Sequence, residues 1–255
     1  MLNVTEDSFS DGGDFIALEA SVDRIKQIYQ EGAKILDIGA ESSRPGSLPV
    51  SSDIQIQRIL PVFQEINKLN LDQLSVSIDT THSKVASLAL HQGATIVNDI
   101  TAGQSDPDML PMVADTGASI ILMHMQGTPE NMQKQPRYNN VTKEIKSYLA
   151  QRVKLALMSG INDIIIDPGF GFGKTVSNNF SLLKEMNVLN DLNCPILIGV
   201  SRKSMIYKTI GGSPISALNG TSIIHAWGLE RGASILRVHD VKEAKECIDL
   251  FLALG

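Results

Sequence analysis

Along the whole chain, short apolar runs alternate with longer amphipathic stretches. The short runs are too brief for helices and lack polar alternation, so they predict strands buried on both faces. The longer stretches place apolar residues at helical spacing and several stop at a glycine, the residue that most readily closes a helix. Strands are predicted at Leu2–Thr5, Ile35–Ile38, Leu74–Ile78, Thr95–Val97, Ser119–Met123, Asn162–Ile166 (with Ile164–Ile166 at its centre), Ile196–Val200 and Ser234–Val238. The helices that follow are predicted at Leu18–Gln30, Ile54–Leu69, Ser83–Gln92, Asp108–Asp115, Val141–Ser159, Phe180–Leu189, Ile215–Glu230 and Lys242–Leu254. Strand and helix pairs without a linker or shift of composition predict a single α/β domain over residues 1–255, a (β/α)8 TIM barrel. A doubly wound open sheet is the structural alternative.

Composition narrows the function. The chain has 255 residues, 43% hydrophobic and 20% charged, an ordinary make-up for a globular protein with a large core. A net charge of -6 and the lack of a Lys/Arg stripe argue against nucleic acid as a partner. Cys194 and Cys247 lie far apart without metal-type spacing, which suits two buried thiols in a reducing cytoplasm. No run approaches the length of a membrane span and no leader pattern opens the chain, so neither a membrane nor standard export is expected.

In a barrel the strand tips converge on one face, where active sites are built. Polar residues stand at all eight predicted tips: Asn3; Glu41, Ser42, Ser43 and Arg44; Asp79 and Thr80; Asn98 and Asp99; Met123 and His124; Asp167; Ser201, Arg202 and Lys203; Arg237 and His239. Any one of them is an ordinary cap or turn residue; their coincidence is the signal. Asp79, Asn98 and Asp167 can together hydrogen-bond a flat heterocycle with an amidine-like edge. Lys203 adds a point charge with three donors, and Arg44, Arg237 and His239 can hold a diphosphate.

Asp163 to Thr175 is the most informative stretch: an apolar strand delivers Asp167 into Pro168 and a loop with Gly169, Gly171 and Gly173. Those glycines would let backbone approach a flat ligand on which Phe170 or Phe172 could stack. The alternative is that Asp167 caps a turn that the glycines merely shape. Gly-Lys-Thr at 173–175 invites a P-loop reading, but that motif needs glycine where Pro168 stands. No Ser-His-Asp or Cys-His arrangement is convincing, and His124 between two methionines is as well explained as scaffold as by a ligand role.

Several motifs carry a resemblance. Asn3-Val-Thr-Glu-Asp-Ser-Phe-Ser-Asp-Gly-Gly, Asp37-Ile-Gly-Ala-Glu-Ser-Ser-Arg-Pro-Gly, Ser77-Ile-Asp-Thr, Ile96-Val-Asn-Asp-Ile, Met123-His-Met-Gln-Gly, Asp167-Pro-Gly-Phe-Gly-Phe-Gly-Lys, Gly199-Val-Ser-Arg-Lys-Ser and Arg237-Val-His-Asp-Val resemble, in order and spacing, those of the dihydropteroate synthase family. The resemblance implies a folate-pathway transferase that condenses 6-hydroxymethyl-7,8-dihydropterin diphosphate with p-aminobenzoate. By similarity, Asp79, Asn98, Asp167 and Lys203 hold the pterin, with Met123 and Phe172 near its ring or the amine. Asn3, Arg237 and His239 would bind diphosphate, Asn3 through Mg2+. Phe9 and Asp11, and Ser43, Arg44 and Pro45, look like the parts that close over p-aminobenzoate, with Ser204 in the same pocket and sulfonamides as competitors. The resemblance also implies a homodimer through the late helices.

The chain departs from the family pattern at Glu6 (usually Pro), Ala40 (Gly), Ser43 (Thr) and Tyr207 (Gly). Ser43 keeps the hydroxyl, whereas Tyr207 is expected to crowd the mouth or alter a turn. The sequence begins inside the first motif, ahead of which relatives carry a β-hairpin, so a shortened N-terminus is expected. A pterin-binding methyltransferase is the enzymatic alternative, and Ser201-Arg-Lys-Ser with Arg237-Val-His argues against it, since a methyl donor needs no diphosphate site. A non-catalytic pterin-binding paralogue is the other; it would lack Phe9, Asp11 or Arg44, all of which are present.

Overall fold

A computed structural model describes residues 1–4, 14–42 and 46–255, with residues 14–17 by backbone alone. Glu6, Phe9, Asp11, Ser43, Arg44 and Pro45 therefore lie outside the described residues. Among the described residues the strand order in the sheet is β1-β2-β3-β4-β5-β6-β7-β8, that of the sequence. The chain gathers into two compact units, one of Met1–Ile121 with Ala156–Asp163, the other of Leu122–Leu155 with Ile164–Gly255.

The first unit holds β1 (Leu2–Asn3), α1 (Asp14–Gln30), β2 (Ile35–Gly39), α2 (Ser52–Ile66), β3 (Ser75–Asp79), α3 (Ser83–His91), β4 (Ile96–Asp99) and α4 (Met109–Thr116). β1 to β4 pair in parallel, with Asn3 opposite Gly39, Gly39 opposite Asp79, and Asp79 opposite Asn98. Ile38, Ile78 and Val97 are fully buried, as parallel strands covered on both faces require. α2 starts where Ser51 accepts a hydrogen bond from the Ile54 amide at 3.4 Å, and α4 stops at Gly117 in the left-handed region.

β5 (Ser119–Met123) begins in the first unit and ends in the second, and α5 (Val141–Met158) does the reverse. The second unit continues with β6 (Ile164–Asp167), α6 (Val176–Lys184), β7 (Ile196–Ile198), α7 (Ser204–Ile210), α8 (Leu218–Glu230), β8 (Ala233–Leu236) and α9 (Val241–Ala253). Ile166, Ile198 and Val200 form its buried centre. α6 begins at a capping box in which Thr175 and Asn178 satisfy each other's backbone amides.

Several expectations are corrected. α6 starts at Val176, ahead of Phe180, because its first turn is polar and is fixed by the cap; Met186–Leu192 is a separate 3-10 helix. α7 was not expected at all, and Tyr207 lies inside it, so that residue belongs to a helix and not to a turn. α1 begins earlier than Leu18, and α2 ends before Leu69. The thiols of Cys194 and Cys247 are half-buried, where full burial was expected.

On α8, His225 is buried and its Nε2 has no hydrogen-bond partner among the described residues. Burial lowers its pKa to about 4, against a smaller opposing pull from Asp240. The unfolded chain therefore binds a proton that the folded chain refuses between about pH 6.5 and about pH 4, and stability falls as pH drops through that window. Urea titrations should show His225→Phe losing less stability than the wild type over this range, by up to about 3 kcal/mol. Parallel pH profiles for the two proteins would refute the assignment.

Candidate active site

In the first unit, the ends of β2, β3 and β4 place their polar residues side by side. A Cβ on Gly39 would lie 3.3 Å from Cβ of Asp79, so the glycine leaves the space that Asp79 uses. Asn98 is buried, with Nδ2 3.4 and 3.5 Å from the two oxygens of Asp37, long contacts that hold the amide weakly. Its neighbour Asp99 has a different task. It accepts from the Thr101 amide (2.8 Å), the Thr101 hydroxyl (2.7 Å) and the Gly103 amide (2.6 Å), capping the loop after β4. Asn3 ends β1 with its side chain exposed.

Thr80 leads into a buried polar chain that runs to Glu41 through Gln55, a residue away from the strand tips. Its hydroxyl donates to Gln55 Oε1 at 2.9 Å, and Gln55 Nε2 donates to Glu41 Oε2 and to the Val50 carbonyl, each at 2.9 Å. Burial raises the pKa of Glu41. Gln55 occupies the apolar face of α2 together with Ile59, Val62, Phe63 and Ile66. A glutamine in phase with that face is the signal that identifies it.

The second unit presents a denser arrangement. Asp167 ends β6 buried, and its Oδ1 accepts from the Gly169 amide at 2.7 Å. Desolvation raises its pKa; the charges of Lys203, Arg237 and Lys174 oppose that shift. Lys203, just before α7, donates to the Phe170 carbonyl at 2.6 Å and lies 4.6 Å from the centre of the Phe172 ring. Burial lowers its pKa to about 8, while Asp167 pulls the other way. Met123 and Phe170 are fully packed in the core, so of the two phenylalanines only Phe172 is half-exposed to a ligand. Ser204 opens α7 half-buried, Arg237 follows β8 half-buried, and His239 is exposed with its amide donating to Ser201 Oγ at 3.3 Å.

Gly169 has φ +68, and a Cβ there would sit 2.0 Å from the His124 carbonyl oxygen. The tight approach expected between this loop and a ligand is thus first an approach to the protein's own β5 end. Arg202, named with Lys203 at the β7 tip, turns to a two-pronged ion pair with Asp240 at 2.8 and 2.9 Å. His124 is buried, and desolvation with the charge of Lys174 lowers its pKa to about 3, so it stands neutral as a scaffold residue. Lys174 is the buried group the sequence did not assign; only the Gly-Lys-Thr pattern drew attention to it.

Chemically, the second unit offers a desolvated carboxylate among cations beside an aromatic ring, and the first offers a buried amide beside a carboxylate. Both suit a planar, nitrogen-rich ring with a charged substituent. Residues 1–239 match the model of the family described as pterin binding enzyme. The dihydropteroate synthase of Escherichia coli (strain K12) is 40% identical over 250 residues, covering 97% of this chain and 88% of that protein. The chain belongs to the dihydropteroate synthase family. A Yersinia pestis dihydropteroate synthase solved with a sulfonamide drug complex superposes with TM-score 0.91 at 36% identity, covering 99% of this chain and 92% of that one. The Xanthomonas albilineans dihydropteroate synthase in complex with 7,8-dihydropteroate gives TM-score 0.87 at 35% identity, covering 99% of this chain and 91% of that one.

The fold is accordingly the (β/α)8 TIM barrel of the dihydropteroate synthases. The enzyme is a transferase of folate biosynthesis that joins 6-hydroxymethyl-7,8-dihydropterin diphosphate to p-aminobenzoate, giving 7,8-dihydropteroate and diphosphate. No helix among the described residues is long and apolar enough to cross a membrane.

Proposed function

We propose that residues 1–255 work as one catalytic domain in which Asp79, Asn98, Asp167 and Lys203 bind the pterin. In this reading the diphosphate departs before the amine attacks. The observation that carries it is Asp167, a buried carboxylate backed by an amide donor and surrounded by the charges of Lys203, Arg237 and Lys174. Two carboxylate oxygens match an N–H pair on the ring, and the same negative charge, with that of Asp79, stabilises the benzylic-like cation left at the methylene. Lys203 serves the ring's nitrogen or carbonyl acceptor and Phe172 meets its face; Met123, packed in the core at the end of β5, is assigned near the ring by its motif alone. No general base is required, because an aniline is already nucleophilic.

Arg237 and His239 take the diphosphate. Mg2+ fits as a partner of the substrate: Asn3 offers a hard, exposed amide oxygen, and no group of three acidic, histidine or cysteine side chains among the described residues forms a metal cage. When bound there, the ion would neutralise charge on the leaving group. Ser204 lines the p-aminobenzoate side, and Phe9, Asp11, Ser43, Arg44 and Pro45 are assigned to closing over that substrate by their motifs alone. Sulfonamides compete at the same place.

The exposed Ile223 and Trp227 of α8 and Leu250 and Leu252 of α9 suit a homodimer through the late helices, and the unpaired thiols suit the cytoplasm. The reading is tested by steady-state formation of dihydropteroate from the two substrates with Mg2+. A folded chain that binds pterin yet makes no product would instead be a non-catalytic paralogue. For the order of steps, kcat across a series of substituted anilines should be nearly independent of amine basicity; a steep dependence would place attack in the rate-limiting transition state.

A further inference from the structure

The loop from Gly169 to Gly173 has each of its backbone carbonyls held by a side-chain donor. Lys174 Nζ donates to the oxygens of Gly169 at 2.7 Å and Phe172 at 3.0 Å. Lys203 holds Phe170 at 2.6 Å, Gln133 Nε2 holds Gly171 at 2.6 Å, and the Tyr138 hydroxyl holds Gly173 at 2.8 Å. Lys174 is buried, and its third N–H lies 3.1 Å from Nδ1 of His124. In its Nε2–H tautomer the neutral imidazole accepts there, and the His124 carbonyl oxygen lies 3.4 Å away, so every donor of the Lys174 amine finds a partner inside the protein.

A buried ammonium is costly to keep unless its charge and donors are all answered, and a fold brace of the same length could be made from apolar atoms. What the amine's hydrogen bonds add is direction. Gly169 is held from both sides of its Cα, its oxygen by Lys174 and its N–H by Asp167, so fixing the one peptide limits the φ and ψ through which the other can turn; the Phe172 residue whose oxygen Lys174 also holds carries the ring beneath Lys203. We propose that Lys174, assisted by Tyr138 and Gln133, is a positioning residue for the pterin subsite: it sets the Gly169–Gly173 backbone and thereby the orientation of the Asp167 carboxylate and the Phe172 ring. It touches no substrate. This rests on the assignment of Asp167 and Phe172 to the pterin.

The test is titration calorimetry with 6-hydroxymethyl-7,8-dihydropterin diphosphate and Mg2+ on the wild type, Lys174→Met, Tyr138→Phe and Gln133→Leu, paired with KM values for both substrates and melting curves. Lys174→Met should weaken pterin binding about 10-fold or more, with the KM for p-aminobenzoate changed less than about 2-fold. Tyr138→Phe and Gln133→Leu should weaken pterin binding about 2- to 5-fold in proteins that melt like the wild type. An unchanged pterin affinity in folded Lys174→Met overturns the inference, as does an equal weakening toward both substrates. Should Lys174→Met not fold, wild-type pterin affinity in both milder variants overturns it. A wild type that does not bind the pterin diphosphate overturns the subsite assignment itself, and the inference with it.

Discussion

Asp167→Asn is expected to lower kcat/KM for the pterin diphosphate by about 100- to 1,000-fold, equivalent to about 3 to 4 kcal/mol. The carboxylate is buried and is the negative group that Lys203, Lys174 and Arg237 act upon. An amide of the same shape keeps one acceptor for the Gly169 amide but leaves these cations without their counter-charge. It also offers the ring one acceptor where two are needed. The variant should fold, since Asn fills the same volume at the end of β6, and circular dichroism would establish that before kinetics are compared. A folded Asp167→Asn enzyme with kcat/KM within about 5-fold of the wild type would remove Asp167 from the pterin site.

Gly169→Ala should cost about 2 to 5 kcal/mol of stability and roughly 5 to 15 °C of melting temperature. Two separate penalties act there: φ of +68, and a Cβ that would press within 2.0 Å of the His124 oxygen, 3.1 Å of its carbonyl carbon and 3.2 Å of Met123 Cγ. Gly211→Ala isolates the first penalty. That residue closes α7 at φ +74 with nothing within 4 Å of a Cβ, so its alanine variant should lose only about 1 kcal/mol. Equal losses in the two variants would show that the β5 end yields to the added methyl group.

The strands were legible because parallel strands buried on both faces leave uninterrupted aliphatic runs, as at Ile164–Asp167, and because polar residues follow them directly. The division of labour between neighbours was not. Asn98 and Asp99 stand together at the end of β4, but successive strand residues point to opposite sides, so one lies beside Asp37 while the other caps its own loop. Phe170 and Phe172 looked equivalent, yet one is sealed in the core. α7 escaped notice because Ser204–Ile210 makes about two turns, too few for a helical repeat to show, and Ile206, Thr209 and Ile210 are β-branched. Lys174 was hidden because a polar residue that finds all its partners inside the protein looks, in sequence, like one that faces water, whereas Gln55 is betrayed only by its phase with the apolar face of α2.

Lys203 already has what a ligand would offer it, a carbonyl at 2.6 Å and an aromatic face. Two N–H donors of that ammonium remain, so an acceptor on an entering ring binds beside the Phe170 oxygen, exchanging a bond to water for one to the ring, and bonds lost and gained nearly cancel in heat. Calorimetry should then record a modest enthalpy at this contact. The favourable part of the free energy would come from water leaving the ring faces, in a loop whose backbone has little left to order.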